Sequence, residues 1–377
     1  MPPDFGRDVH CVLGLPFDTL TESQAEEALR RAARQRRRCF LSTPNLDFAV
    51  HCLTDTAFRE SVLQSDMSVA DGWPIVMVAR LLGVPLSGRV AGSTLFERLG
   101  GAEGQPMTVY FFGGPDGSAE LACHRVNSSA GPMTCVGFDA PGFGSVEAMS
   151  DADRLQRINA SRADFLVVAL GAKKGQAWIQ HNLARIDTPL VSHLGAVVNF
   201  AAGRLRRAPR WVQQLGLEWL WRIREEPALW RRYANDGRVL LQLLATRVLP
   251  LAWELRWHAP RKGAPARVSV ERAGSASVLR LGGAWTAQNL APLREQLRNV
   301  AEGAESVALD LSELVFVDSA VIGLLALLYG WQKQTSLGWK VVAASHAVRR
   351  VIHLACAGYL LQEITASDGQ KRSPSGA

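Results

Sequence analysis

The residues of this chain that could do chemistry are few and widely spaced. Asp71 stands in an Ala70-Asp71-Gly72 turn between a polar segment and an apolar one. Thr43 and Asn45 flank Pro44 directly after the short apolar run that begins at Cys39, and Arg89 follows the next apolar run on its exit loop. A single carboxylate on a glycine-bounded turn suits removal of a proton from a hydroxyl, and arginines and backbone N–H groups suit phosphate charge. Each residue also has a plainer reading: Asp-Gly as a turn, Thr and Asn as helix caps. The residues alone leave both open.

Metal chemistry finds little support in the spacing. The six cysteines (11, 39, 52, 123, 135 and 356) form no CxxC pair and read as reduced thiols. Asp151-Ala-Asp153 spells a DxD signature but heads a helical segment, where acidic residues serve as N-terminal charge. No metal and no cofactor is expected.

These side chains need elements to position them. Pro74 suits a first helical turn, the apolar residues from Ile75 to Leu82 give that helix a buried side, and Gly83 and Pro85 end it. Residues 39–43 read as a strand, 46–53 as a helix, and 90–99 as a helix opened by Gly92, Ser93 and Thr94. A strand from 107 runs into Gly113-Gly114 and a helix, a turn able to offer N–H groups to a diphosphate. Two further units follow: a strand at 133–140 with a helix at 150–161, and a strand at 163–170 whose exit loop carries Gly171, Lys173, Lys174 and Gln176. Residues 189–200 read as a fourth strand. The alternation predicts an α/β fold with a Rossmann-like, largely parallel sheet over residues 8–203, with ligands at the carboxyl ends of its strands.

Charge is uneven. The net charge is +7, yet residues 204–262 hold thirteen Arg/Lys against five Asp/Glu, a balance of +8, together with six of the eleven tryptophans. Such a helical appendage (204–258) suits an anionic surface, either lipid or nucleic acid, and Trp favours the lipid headgroup boundary, so a lipid surface is the expected partner. No nucleic-acid-binding motif is visible. The stretch 238–257 is apolar but interrupted by Gln242, Arg247 and Pro250; it reads as an interfacial helix rather than a spanning one, with a helix packed on a domain as the alternative. The first ten residues have neither a basic n-region nor an apolar core, so no secretory leader is expected and the protein reads as cytoplasmic and peripheral. A Pro/Gly/basic linker (259–267) precedes a second, smaller α/β domain at 268–366, and residues 367–377 read as a disordered tail.

Taken in order, Thr43-Pro-Asn45, Ala70-Asp71-Gly72, Leu82-Gly83, Arg89-Val-Ala-Gly92-Ser93, Gly113-Gly114, Leu170-Gly171, Arg207-Ala-Pro209, Gly216-Leu-Glu218-Trp219, Glu226-Pro227 and Arg232-Tyr233 resemble the WecG/TagA/CpsF family of bacterial glycosyltransferases. The resemblance covers about residues 8–235. It implies inverting, metal-independent transfer of an N-acetylmannosamine-type sugar from a UDP-sugar donor to a polyprenyl-diphosphate-linked acceptor. It further implies Asp71 as base, Thr43 and Asn45 beside it, and a substrate site drawn from Arg89, Gly92, Ser93, Thr94, Gly113, Gly114, Gly171, Lys174, Gln176, Arg207, Arg222 and Arg232. Two positions depart: Thr94 stands where the family usually has Asp, and Gly175-Gln176 where it has Gln-Glu, so the donor is left open. Residues 268–366 resemble a STAS domain, carried by Leu311-Ser312, Val317-Asp318-Ser319-Ala320 and Gly323-Leu324. That resemblance implies a regulatory or docking module with a protein partner and places a switch serine at Ser319; simple N-capping is the alternative.

Overall fold

The computed structural model describes residues 2–101, 105–214, 216–258, 264–274 and 276–362. The chain opens on a hairpin that the sequence reading did not include, in which β1 (Val9–Val12) pairs antiparallel with β2 (Leu15–Asp18). A capping box between Thr21 and Gln24 starts α1 (Glu22–Arg34). β3 (Cys39–Ser42) leads to α2 (Leu46–Thr54) and α3 (Thr56–Leu63), and β4 (Met67–Ser68) to α4 (Trp73–Leu81) and α5 (Gly92–Leu99). Then come β5 (Met107–Gly113), α6 (Ser118–Ser128), β6 (Met133–Asp139), α7 (Ala152–Ala160), β7 (Phe165–Ala169), α8 (Ala172–Asn182), β8 (Leu190–His193) and α9 (Gly195–Ala201).

The six strands from β3 to β8 form one sheet in the order β4-β3-β8-β7-β5-β6, with every pairing parallel. Every residue of β7 is buried, as a strand covered on both faces requires. Phe111, Phe165 and Val167 face one core, and Phe112, Leu166 and Trp178 the other. The expected α/β architecture is present. Residues 189–200, expected as one strand, instead split: β8 stops at His193, and α9 starts at Gly195. A short apolar run carries no period that separates strand from buried helix. Cys123 and Cys135, read as free thiols, are joined in a disulfide. The pairing brings α6 against β6, a proximity that sequence spacing does not show.

The appendage comprises α10 (Arg210–Gln214), α11 (Glu218–Glu225), α12 (Trp230–Leu243), a π turn at Leu244–Val248 and α13 (Leu249–Trp257). Leu243, Val248, Leu251 and Ala252 are buried, whereas Leu241, Leu249, Trp253 and Trp257 are exposed. The helix therefore packs on the body along one side and leaves an apolar, Trp-bearing side uncovered. Among the described residues no helix is long and apolar enough to cross a membrane.

In the second domain β9 (Arg267–Ala273) pairs antiparallel with β10 (Ala276–Trp285). α14 (Ala291–Glu302), β11 (Ser306–Leu311), β12 (Leu314–Val317), α15 (Ser319–Gln334), β13 (Trp339–Ala344) and α16 (His346–Leu354) follow, with β12-β10-β11-β13 parallel throughout. Most of the expected linker, and the tail from 367, lie outside the described residues.

The two domains share one continuous core. Every residue of α15 from Ala320 to Gly330 is buried, as a helix covered on all sides requires. Two glycines admit the neighbouring backbone: a Cβ on Gly323 would stand 3.0 Å from the Val9 carbonyl oxygen, and one on Gly330 2.9 Å from that of Leu63. The Tyr359 hydroxyl donates to the Gly14 carbonyl at 2.9 Å, and Lys333 pairs with the buried Glu60 at 3.5 Å.

Candidate active site

The Ala70-Asp71-Gly72 turn is held from both sides. The Asp71 N–H donates to the Pro44 carbonyl at 3.0 Å, and the Val90 N–H donates to that of Ala70 at 2.8 Å. The turn is thus fixed between the end of β3 and the entry to α5, and Gly72 takes φ +148°, a conformation that only glycine adopts readily. The Asp71 carboxylate is about a quarter exposed (26%). Its Oδ1 accepts from Arg89 Nε at 3.3 Å, and its Oδ2 from the Gly92 N–H at 3.4 Å.

Arg89 also reaches Glu218 of α11 at 2.5 Å. Burial works against its charge, but the Asp71 and Glu218 carboxylates outweigh that, and its pKa is raised. Asp71, Arg89 and Glu218 thus form a charged bridge from the Ala70-Asp71-Gly72 turn to the appendage. Glu218 belongs to the quoted motif, yet the sequence reading gave it no role.

Thr43 is buried against α5: a Cβ at Gly92 would lie 3.3 Å from Thr43 Oγ1 and would run into the Leu194 side chain. Asn45 caps α2, its Oδ1 accepting from the Phe48 N–H at 3.1 Å, and its Cβ is 3.7 Å from where a Cβ on Gly72 would sit. Beside the first turn of α5 opens a cleft of about 370 Å³, lined by Ser93, Phe96, Glu97, Val197, Phe200 and Arg207. Arg207 donates to Ser93 Oγ at 3.0 Å and to Thr94 Oγ1 at 3.1 Å, and pairs with Glu97. Arg222 lies over the Phe200 ring at 5.7 Å and pairs with Glu226 at 2.8 Å.

Asp71, Thr43, Asn45, Arg89, Gly92, Ser93, Thr94, Arg207 and Arg222 therefore converge. The other expected residues are differently placed. Arg232 sits at the first turn of α2, 3.9 Å from Asp47. Gly113 and Gly114 both have positive φ, but the Gly114 N–H is committed to the Ala169 carbonyl at 2.7 Å. Gly171 precedes α8, Lys174 donates to the Gly144 carbonyl at 2.9 Å, and buried Gln176 donates to Ser42 Oγ at 3.0 Å. Asp151 caps α7. Ser319 lies away from the turn, at the domain junction. Among the described residues no His, Cys, Asp and Glu side chains gather as a metal-binding set.

The glycosyl transferase WecG/TagA/CpsF family model matches residues 10–252. The chain belongs to the WecG/TagA/CpsF family. Residues 268–362 match a STAS domain model of the Mlab type. Similar relatives include N-acetylglucosaminyldiphosphoundecaprenol N-acetyl-beta-D-mannosaminyltransferases of three bacteria. That of Bacillus spizizenii is 26% identical, with 56% of this chain and 80% of the relative covered. That of Bacillus subtilis is 27% identical, with 54% and 78% covered. That of Staphylococcus aureus is 25% identical, with 56% and 82% covered. In this family member, then, the Asp71 turn, the cleft and the Arg89–Glu218 bridge all lie within the matched region, and the STAS domain is added behind it.

Proposed function

We propose that this chain transfers an N-acetylmannosamine-type or related sugar from a UDP-sugar to a polyprenyl-diphosphate-linked acceptor, with inversion and without a required metal ion. The observation that carries this reading is the Asp71 carboxylate, fixed by Arg89 and the Gly92 N–H beside the cleft at the carboxyl end of the sheet. Asp71 takes the acceptor hydroxyl proton as that oxygen bonds to the anomeric carbon. The bond from that carbon to the UDP oxygen breaks, and UDP leaves with the electron pair. Arg89, Arg207 and Arg222 meet the diphosphate charge. The names of the relatives support the sugar and the acceptor.

The exposed Trp211, Trp219, Trp230, Trp253 and Trp257 among the appendage arginines support docking on the inner face of the cytoplasmic membrane, where a polyprenyl acceptor resides. The STAS domain is read as regulatory. Ser319 is its control point, and modification there acts by parting the domains. A second reading, a sensor that binds UDP-sugar without turnover, draws on Thr94 and Gly175. Incubation with a panel of UDP-N-acetylhexosamines and polyprenyl-diphosphate-linked acceptors, with mass detection of lipid product, decides between them. Acceptor-dependent UDP release supports the enzyme; binding without release supports the sensor.

A further inference from the structure

Position 175 has no side chain, and the space beside it is filled from another strand. Gly175 is buried in the first turns of α8, where its N–H donates to the Gly171 carbonyl at 2.7 Å. A Cβ built there would run into the imidazole of His193, the last residue of β8. The ring is closed in on a second side by Gly195, where a Cβ would stand 3.2 Å from His193 Nε2, and Phe48 of α2 lies 6.3 Å away, ring centre to ring centre. A side chain at 175 would therefore require the His193 ring to move.

His193 also stands where a ligand is expected. β8 lies in the sheet beside β3, which ends at Ser42 just before Thr43, and Leu194, next to His193, packs against Gly92, the residue whose N–H holds Asp71. His193 Nε2 is buried and has no hydrogen-bond partner among the described residues, while part of the residue stays open to solvent. A buried, unsatisfied polar atom of this kind costs stability and calls for a reason. Gln176, the neighbouring polar side chain, donates through its amide nitrogen to Ser42 Oγ at 3.0 Å.

We propose that the imidazole of His193, standing in the space that a side chain at 175 would take, contacts the sugar of a nucleoside-diphosphate sugar and so sets which sugar is accepted. Burial pushes its pKa down to about 4, so the ring is neutral at physiological pH. A neutral imidazole offers one donor and one acceptor, which suits a sugar hydroxyl or acetamido group better than a phosphate. This inference rests on the donor site proposed above.

The test is calorimetric binding of UDP and of a panel of UDP-hexoses and UDP-N-acetylhexosamines to the full chain, alongside turnover. The proteins compared are wild type, His193→Gly, His193→Asn and the double variant Gly175→Gln/His193→Gly. His193→Gly is expected to keep UDP binding but to lose tenfold or more in affinity for the preferred UDP-sugar, with partial recovery in His193→Asn. The double variant is expected to regain UDP-sugar binding with a changed preference. An unchanged preference in both glycine variants, or equal losses for UDP and UDP-sugar, overturns the inference. These readouts do not depend on catalysis. His193-dependent sugar binding without turnover would overturn the transferase reading and keep this inference, turnover with a panel indifferent to residue 193 would do the reverse, and no UDP-sugar binding by wild type would sink both.

Discussion

Ser319 Oγ lies 2.9 Å from His10 Nδ1, a hydrogen bond between residues 309 positions apart that joins the STAS domain to the transferase domain. Asp318 is the N-cap of α15, accepting from the Ala320 and Val321 N–H groups, so the Ser319 hydroxyl is left free for His10. Burial lowers the His10 pKa, opposed by Asp8 and Asp318 and assisted by Arg294. The face of the STAS domain that carries its serine is therefore occupied by the chain's own hairpin.

The space around that serine is tight: a gap of about 10 Å³ among Cys11, Leu82, Leu251, Asp318 and Ile322. That volume barely holds one water. Ser319→Glu should therefore part the domains, with faster hydrogen exchange across residues 9–18. Ser319→Ala should cost about 1–3 kcal/mol, by leaving the buried His10 nitrogen unpaired, without opening the junction. Equal exchange in the two variants would show that the junction tolerates added bulk and charge.

Asp71→Asn keeps the shape of the turn and removes the proposed base. It should lower kcat by roughly 10²–10⁴-fold with UDP affinity within a few fold of wild type. Rates close to wild type would assign the proton to another group.

Asp236, buried on α12, carries a carboxyl whose pKa is pushed up to about 6, first by burial and then by Asp47, with Arg232 and His51 acting the other way. A folded-state pKa above the unfolded one means that the stability this group contributes is fully present below the unfolded value of 3.8 and is lost as pH rises through 6. At pH 7.5 the wild type holds a disfavoured carboxylate. Asp236→Asn should stabilise by on the order of 2–3 kcal/mol at pH 7.5 and by little at pH 4. Thermal melts of both proteins at the two pH values check this, and a gain independent of pH would refute it.

Trp253 and Trp257 stack at 5.1 Å and are both exposed. Replacing both with Ser should weaken co-sedimentation with anionic vesicles by tenfold or more without shifting the melting temperature, because neither ring fills the core. Unchanged sedimentation would move the membrane contact elsewhere.

The alternation of strands and helices was legible because its signals are local. Apolar runs such as Phe165–Ala169 and turn glycines such as Gly72 state their own conformations. Asp71, Arg89 and Thr43 were legible as a set because their order along the chain resembles the family's. Glu218 stood in that order too, but its grip on Arg89 depends on how α11 folds back, which no local signal encodes. Gln176 was legible only as a polar residue on an exit loop; its bond to Ser42 joins positions far apart in the chain and has no local signal. The β1–β2 hairpin was missed because its strands are four residues each and buried on every position, so they lack the alternation that marks a half-buried strand. One clue was available in α15, whose apolar residues run around the whole helix rather than along one face.

The sequence by itself determined two α/β units, a carboxylate on a glycine turn and a basic, Trp-rich appendage, since composition, period and motif order are properties of the chain as written. Only the tertiary structure decided that the two units share one core, that Ser319 is engaged by His10, and that His193 occupies the space beside Gly175. Each of those facts is a close approach between distant positions, set by how sheets and helices pack in three dimensions, and the order of residues along the chain leaves such distances unspecified.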